Sequence, residues 1–212
     1  MVDFAALRNR PPTPPPVVPR LIVAVTGHRP PKLDGYDAAN PLRVAIRERM
    51  KQELQSCDMA ASSMDPRHTD SYLRQVVWNT PQPTETLALS GLAQGADWDF
   101  CTVCHQLGIP FIGVVPFPGQ ESRWPTKTQQ QYRKLLSHCA GVVYVSKSPP
   151  QDNDEAKRML NKRNEWLCCV ADEMIAVYDG SAGGTGNCVR YWERLHGRRL
   201  RRIDPRELRG CS

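Results

Sequence analysis

The sequence predicts an α/β protein with a Rossmann-like, mainly parallel sheet and helices on both faces. Short apolar runs rich in β-branched residues alternate with longer stretches in which apolar residues recur every three or four positions. Three of the apolar runs lead into glycine-containing turns, at Gly27, Gly91 and Gly180. In a parallel sheet the carboxyl ends of the strands share one edge, so we expect these turns to meet at a single site.

Each predicted strand corresponds to one apolar run. The first run, 21–25, contains Ile22, Val23 and Val25, and four similar runs follow at 86–90, 111–115, 142–146 and 174–178, with a last strand predicted at 200–203. Alternation with helices makes the connections crossovers, which are right-handed in parallel sheets.

Helices are predicted between these strands, at 41–57, 94–107, 127–139, 154–171 and 185–195. In the first helix, apolar residues repeat every four positions from Leu42 to Leu54 and would face the core. Asn40 is expected to cap this helix, with Pro41 in its first turn.

Two stretches stand apart from this pattern. Residues 1–20 include the run PPTPPPVVP and are predicted to be a mobile, extended lead-in. Residues 58–86 are polar or proline-rich around a short helical stretch at 71–79, and we expect an irregular insertion. The remainder, 21–212, is long enough for one hydrophobic core, and we predict a single domain.

Composition narrows the class of protein. Hydrophobic residues make up 40% of the chain and charged residues 24%, which is typical of a soluble globular protein. No apolar run reaches the length of a membrane span, and the amino terminus lacks the pattern of a signal peptide, so a cytoplasmic location is expected. The eight cysteines are then expected to be reduced and packed as small apolar groups.

No metal or other cofactor is predicted. The stretch from Cys101 to His105 matches the spacing of a haem-attachment motif, but it falls on a predicted helix in a chain with no export signal. Zinc would require further ligands at a suitable spacing, and none is evident.

The net charge of +6 is concentrated near the end of the chain. Residues 189–212 hold eight arginines against Glu193, Asp204 and Glu207, a surplus of five positive charges. Such a patch either binds a polyanion or forms a solvated surface, and we favour the solvated surface with at most weak nucleic-acid contact. The sequence leaves formation of a homo-oligomer open.

The glycine turns predict an anion site. Gly183, Gly184 and Thr185 lie where a helix begins, and Asn187 follows in its first turn. Glycine allows a ligand to approach the backbone closely, and the free N–H groups at a helix start attract a phosphate. The other candidate ligand-binding residues lie in the two earlier turns, near the end of the fourth predicted helix and after the fifth strand: Thr26, Gly27, His28, Arg29, Gly91, Gly95, Asp97, Arg163, Asn164 and Asp179.

Several of these residues also have a purely structural interpretation. His28 and Arg29 could only brace the turn before Pro30, and Asp179 beside Gly180 could only form a turn. Asp97 could stabilise the start of the second helix or accept a ribose hydroxyl. Arg163 could pair with an acidic neighbour on the surface, although ligand contact is the favoured interpretation.

The order of these motifs resembles the YpsA-like branch of the SLOG superfamily, whose relatives include the Lonely Guy and DprA proteins. The residues that carry the resemblance are the stretch TGHRP at 26–30, SGLAQGAD at 90–97, Arg163-Asn164 and GGTGN at 183–187. The resemblance covers about 21–205 without the insertion. It implies a Rossmann-like sheet and a pocket for a small nucleotide or an ADP-ribose-like ligand, without implying one activity.

The chain departs from the Lonely Guy hydrolase pattern. The chain resembles those enzymes in two features. Arg163 stands nine residues before Asp172, and a glycine motif follows the next strand. Here Asn187 stands where that family has threonine, and Arg190 stands where it has the catalytic glutamate. Cleavage of an N-glycosidic bond develops positive charge that a carboxylate stabilises and an arginine opposes. We therefore assign no catalytic residue and expect binding rather than hydrolysis, with hydrolase activity and single-stranded DNA binding as the alternatives.

Overall fold

The computed structural model describes residues 21–62, 86–197 and 200–209. These ranges contain six strands: β1 (Leu21–Gly27), β2 (Thr86–Ser90), β3 (Phe111–Val115), β4 (Gly141–Tyr144), β5 (Glu173–Val177) and β6 (Leu200–Ile203). The helices are α1 (Pro41–Ser62), α2 (Ala96–Leu107), α3 (Thr126–Leu136), α4 (Asn153–Val170), α5 (Gly184–His196) and the short α6 (Pro205–Leu208), with a 3₁₀ turn at Pro30–Lys32.

The strands form one sheet in the order β4-β3-β2-β1-β5-β6, and all neighbouring pairs are parallel. The predicted fold class, a parallel Rossmann-like sheet with helices on both faces, is confirmed. The chain moves outward from β1 to β4 and then returns to place β5 on the other side of β1. This reversal leaves a crevice at the carboxyl ends of β1 and β5, where ligands bind in sheets of this kind.

Alternation along β1 sends successive side chains to opposite faces of the sheet. Val23 and Val25 pack with α1, α2 and Tyr132 of α3, whereas Ile22 and Ala24 pack with α4 and with Trp192 of α5. Full burial of an aliphatic or aromatic side chain stabilises the fold by about 1.5–3 kcal/mol, so each layer of helices is held by several such contacts. Helices α4 and α5 therefore lie on the same face of the sheet.

Most element boundaries differ from the predicted ones by one to three residues. Asn40 caps α1 as expected, because its side-chain oxygen accepts the Arg43 backbone N–H at 2.9 Å. The second helix begins at Ala96 rather than at 94, since Gly95 has a φ of 99° and still belongs to the turn. The sequence analysis missed α6, in which Asp204 caps the start by accepting the Arg206 N–H.

The irregular insertion predicted for 58–86 begins too early. Helix α1 continues through Ser62, five residues beyond its predicted end, whereas β2 begins at Thr86 as predicted. Residues 63–85, with the helical stretch at 71–79, lie outside the described residues, as do the proline-rich 1–20.

None of the helices in the described ranges combines the length and apolarity needed to cross a bilayer. Cys101 and Cys104, the pair in the haem-like motif, are fully buried on the core side of α2. Burial raises the pKa of both thiols, so they behave as apolar core groups.

Candidate functional site

A cleft of about 550 Å³ opens at the crevice between β1 and β5. Its walls are the end of β1, the turn before α2, one face of α4 and the first turn of α5. Ten of the predicted ligand-binding residues line it: Thr26, Gly27, Arg29, Asp97, Arg163, Asn164, Gly183, Gly184, Thr185 and Asn187. The structure thus brings together residues that are up to 161 positions apart in the sequence.

The end of β1 is fixed by close backbone packing. A Cβ on Gly27 would lie 2.3 Å from the Ala96 Cβ, so only glycine allows α2 to approach this strand. The Thr185 hydroxyl donates to the Gly27 carbonyl at 2.9 Å, which holds the start of α5 against β1. The Thr185 hydroxyl is therefore engaged within the protein, and the backbone N–H of Thr185 is the group left to face the cleft.

Arg163 enters the site from α4 and packs on the backbone of Gly91. A Cβ at Gly91 would lie 0.9 Å from Nη1 of Arg163, so the guanidinium occupies the space that a side chain would fill. Gly91 does not line the cleft but gives this arginine its position. Gly95 also acts indirectly, by allowing close packing of the backbone. A Cβ at this position would lie 2.5 Å from the His28 carbonyl oxygen.

Arg163 faces the carboxylate of Asp97 inside the protein rather than an acid on the surface. Nη1 of Arg163 lies 3.5 Å from Oδ2 of Asp97, and each side chain is 7% exposed. The Ala93 backbone N–H donates to the same Oδ2 at 3.1 Å, so Asp97 neither caps the first turn of α2 nor turns to solvent. Burial raises the pKa of Asp97, although Arg163 opposes this shift.

The pairing of Arg163 is incomplete. Its Nε is buried and has no hydrogen-bond partner among the described residues. A buried unsatisfied donor costs about 1–3 kcal/mol, and more when it is charged. Arg163 also lines the cleft, so an anion bound there would lie near its guanidinium.

The start of α5 adds backbone donors to the same cleft. Gly183 precedes the helix with a φ of 143°, and no side chain caps the first turn. An ideal Cβ on Gly183 or Gly184 meets nothing within 4 Å, so the cleft is open directly above these residues. The uncapped N–H groups and the helix dipole therefore face free space that an anion can occupy.

The charge of the cleft is positive. Among the described residues that line it, Arg29, Lys157 and Arg163 are cations and Asp97 is the one acid. Lys157 is also paired with Asp154 on the surface at 3.1 Å, so the surplus depends mainly on the two arginines. Arg29 is exposed and also borders a smaller cavity beside the start of α5.

His28 and Asp179 do not line the main cleft. They join the loops after β1 and β5, because the His28 ring nitrogen Nε2 lies 2.7 Å from Oδ1 of Asp179. Burial lowers the pKa of His28 against the opposing effect of Asp179, and the Asp179 backbone N–H donates to the same Nε2 at 3.1 Å. Burial acts to raise the pKa of Asp179, but hydrogen bonds from Ser181 and His28 outweigh it and hold that pKa below its ordinary value. These contacts join the two loops, and His28 also borders the smaller cavity beside the start of α5.

The sequence analysis missed part of the α4 wall. Lys157, Leu160 and Asn161 also line the cleft, together with Arg163 and Asn164. Residues 157, 161 and 164 share one face of a helix, so helical periodicity around Asn164 was the available signal. Ala93 was missed as well, since nothing in its side chain marks it.

Beyond Asn187, the cleft continues into a groove of about 560 Å³ between α4 and α5. Arg190 lies in this groove, is exposed, and donates a hydrogen bond to the side-chain oxygen of Asn187. The glutamate expected by a glycosidase pattern is thus replaced by a cation that also engages a cleft residue.

Four of the six described arginines near the end of the chain are paired with acids: Arg201, Arg202, Arg206 and Arg209. Asp204 accepts from both Arg202 and Arg206, and Arg201 contacts Glu53 and Glu173. Arg209 pairs with Asp34, and the Arg194 guanidinium lies 5.5 Å from the Tyr191 ring centroid. Arg198 and Arg199 lie outside the described residues. Since pairing offsets much of the positive charge, the patch is weaker than its sequence indicates.

Comparison with known proteins gives limited information. No protein-family model matches the chain. It is 28% identical over 129 residues to an uncharacterized SPbeta prophage-derived protein, YoqJ, of Bacillus subtilis (strain 168), a match that covers 55% of this chain and 75% of that protein.

Among solved structures, the chain is similar to the DNA processing protein A (DprA) from Streptococcus pneumoniae. The TM-score is 0.47 at 15% sequence identity, and the match covers 82% of this chain. The chain spans about half, 48%, of the length of that structure.

Proposed function

We propose that this protein binds a nucleotide or a nucleotide-derived, ADP-ribose-like ligand in the cleft between β1 and β5. The observation that carries the proposal is Arg163, whose buried Nε lacks a partner among the described residues and which lines a cleft with a surplus of positive charge. A protein retains such a group at a cost to stability, and an anionic ligand would offset that cost on binding.

The phosphate is expected to lie between Arg163 and the start of α5. Backbone N–H groups at Gly184 and Thr185 would donate to its oxygens, and the guanidinium would add charge-assisted hydrogen bonds. The open space above Gly183 and Gly184 gives the phosphate room to approach. Both donors are fixed before binding, since Gly91 positions the arginine and Thr185 anchors the helix.

The rest of the ligand would extend along α4. Asn161, Asn164 and Asn187 line this part of the cleft, and their amides can both donate to and accept from sugar hydroxyls or base edges. A cavity of about 550 Å³ lies within the range of pockets that hold ligands of nucleotide size.

We further propose that the chain is a member of the YpsA-like branch of the SLOG superfamily. Support comes from the positions of the two turns that carry the resemblance, since Thr26 and Asp97 both border the cleft. We expect it to act in the cytoplasm.

Release of bound small molecules is the first test. Purified protein is denatured, and the released molecules are identified by mass spectrometry; a phosphate-containing nucleotide or a derivative of one is the expected result. Calorimetry with adenosine monophosphate, ADP-ribose and pyrophosphate then measures affinity directly. If none of these three binds the folded protein at millimolar concentration, the proposal is wrong.

We expect no efficient hydrolysis of nucleoside monophosphates, because Arg190 stands at the position where a glycosidase needs a carboxylate. A panel of monophosphates is incubated with the protein, and release of ribose 5-phosphate is measured. Turnover above roughly one per second would show that the protein is an enzyme of this class. Arg190→Glu is the matched variant, since it places the carboxylate of the glycosidase pattern at that position.

Single-stranded DNA binding is the alternative, and the acid-paired arginines near the end of the chain argue against a strong polyanion surface. Nanomolar binding of an oligonucleotide at 150 mM salt, a benchmark of about −12 kcal/mol, would favour DNA over a small ligand.

A further inference from the structure

Two buried cysteines face each other behind the proposed site. Cys168 of α4 and Cys188 of α5 have their Sγ atoms 3.7 Å apart, and their side chains are 0% and 1% exposed. Neither thiol is used by the ligand contacts proposed above. The two helices that carry them are the helices that form the cleft and the groove.

The groove gives reagents a route to one of the two thiols. Cys188 belongs to the lining of the groove of about 560 Å³, between Asn187 and Arg190 in the sequence. Cys168 lies behind it and contacts the Cys188 carbonyl as well as its sulfur. Of the two buried thiols, Cys188 is therefore the one nearer to a reagent in the groove.

The surroundings make the two thiols unequal. A hydrogen bond from Cys168 lowers the pKa of Cys188, and Thr26 and Arg163 lower it further against the effect of burial. The same hydrogen bond raises the pKa of Cys168. The thiolate is the nucleophilic form, so Cys188 is the attacking group and Cys168 is the resolving group.

We propose that Cys168 and Cys188 are a redox modification site, which a small-molecule disulfide oxidises to an α4–α5 disulfide that alters the adjoining ligand cleft. The Cys188 thiolate attacks one sulfur of the small disulfide and expels the other half as a thiolate. Cys168 then loses its proton, attacks Sγ of Cys188 and expels the second half. Two protein thiols are oxidised, and one small disulfide is reduced to two thiols.

The effect on the cleft follows from distance. A disulfide requires the sulfurs to move from 3.7 Å to about 2.0 Å, which draws α4 and α5 together or rotates both side chains. Cys188 directly follows the cleft residue Asn187, and Cys168 lies on the same helix as Arg163. Closure of the two helices would shift the donors on both sides of the cleft. This regulatory half of the inference rests on the proposed function.

The test uses cystamine, a small disulfide, on the full-length protein. After alkylation of the remaining thiols, mass spectrometry of digested peptides should show Cys168 linked to Cys188 and reversal by dithiothreitol. The matched control is Cys169→Ser, which removes the exposed neighbouring thiol and should leave the link unchanged. Cys168→Ser should instead trap cystamine's half as a mixed disulfide on Cys188.

The same samples are titrated with pyrophosphate by calorimetry. We expect oxidised wild type to bind at least threefold more weakly than reduced wild type, with recovery after dithiothreitol and no oxidation effect in Cys188→Ser. Complete modification of Cys169 with Cys168 and Cys188 still reduced would overturn the modification site. Formation of the link with unchanged affinity would overturn the regulatory half alone.

Failure of the proposed function gives a different result. If reduced protein binds neither pyrophosphate nor a nucleotide, the proposed function and the regulatory half both fall, whereas the disulfide itself is decided by mass spectrometry without any ligand.

Discussion

Two buried ion pairs share helix α2 but differ in how completely they are satisfied. Asp99 receives two hydrogen bonds from Arg43, at 2.8 and 3.0 Å, and a third from Arg47. Asp97, two residues earlier, lies 3.5 Å from Arg163, whose Nε has no partner among the described residues. The two pairs have the same residue types and similar burial, and both aspartates lie on α2. The pairs therefore differ in their hydrogen-bond geometry.

This difference separates a structural pair from a candidate binding group. The Arg43–Asp99 pair uses its bidentate geometry to fasten α1 to α2, and little of its hydrogen-bonding capacity remains for a ligand. Arg163 retains unused capacity and lies on the wall of an open cleft. Incomplete pairing of a buried charge is therefore a better indicator of a site than the charge alone.

Removal of Arg43 should have the largest effect on stability. Arg43→Met leaves the buried Asp99 carboxylate with Arg47 alone, and breaking such a pair costs about 3–5 kcal/mol. Urea denaturation should show this loss in the free energy of unfolding. A loss below about 1 kcal/mol would mean that Arg47 alone satisfies the Asp99 carboxylate.

Removal of Arg163 should have the largest effect on binding. Arg163→Met keeps an unbranched, flexible side chain but removes the charge-assisted donors that face the phosphate. We expect affinity for pyrophosphate or the identified nucleotide to fall at least a hundredfold, about 2.7 kcal/mol. Calorimetry at a temperature where the variant is folded measures this change. Unchanged affinity in the folded variant would assign Arg163 to the scaffold.

The parts of the fold that depend on local pattern could be predicted from the sequence. The ranges of β2 and β3 match their apolar runs, because a buried parallel strand is a continuous apolar segment bounded by turns. The strand order could not be derived from those runs, since nothing local shows that β5 returns to the other side of β1. The end of α1 was misjudged because its buried apolar stripe ends at Cys57, and Met59 beyond it is exposed.

The site, like the fold, could be predicted where it depends on local sequence and not where it depends on tertiary packing. Glycines 183 and 184 mark a helix start from local sequence, and the structure leaves them open to the cleft. The partner of Arg163 is Asp97, which is 66 positions away, and that of His28 is Asp179, which is 151 positions away. Such pairings arise from tertiary packing, which residue spacing does not encode.

The start of α5 tests the other half of the phosphate site. Gly184→Asp places a carboxylate in the open space where the phosphate should lie, and we expect binding to weaken at least tenfold, about 1.4 kcal/mol. Gly184→Ala is the matched control, because its Cβ meets nothing within 4 Å and its backbone does not require glycine. Calorimetry should show near wild-type affinity for the alanine variant. Similar losses in both variants would indicate a change in the helix rather than the loss of an anion site.

The exposed arginines near the end of the chain should show the smallest effect, and one confined to acid stability. Hydrogen bonds from Arg206 chiefly lower the pKa of Asp204 to about 2. The unfolded carboxyl has a pKa of about 3.9, so its stabilising contribution is complete above about pH 4 and is lost as the pH falls toward 2. Arg206→Gln should therefore be slightly less stable than wild type at pH 7, with the difference closing between pH 4 and 2.

Denaturation curves across this pH range measure the effect of Arg206→Gln, and Lys134→Gln is the control that removes one positive charge from exposed α3. The control should show no closing of its stability difference in this range, because the shift depends on contact with Asp204 rather than on net charge. Arg206→Gln should also keep its affinity for the small ligand, since its charge is already engaged and lies outside the cleft lining. If it loses as much ligand affinity as Arg163→Met, the paired surface arginines rather than the incompletely paired buried one recognise the anion, and the site must be moved to the end of the chain.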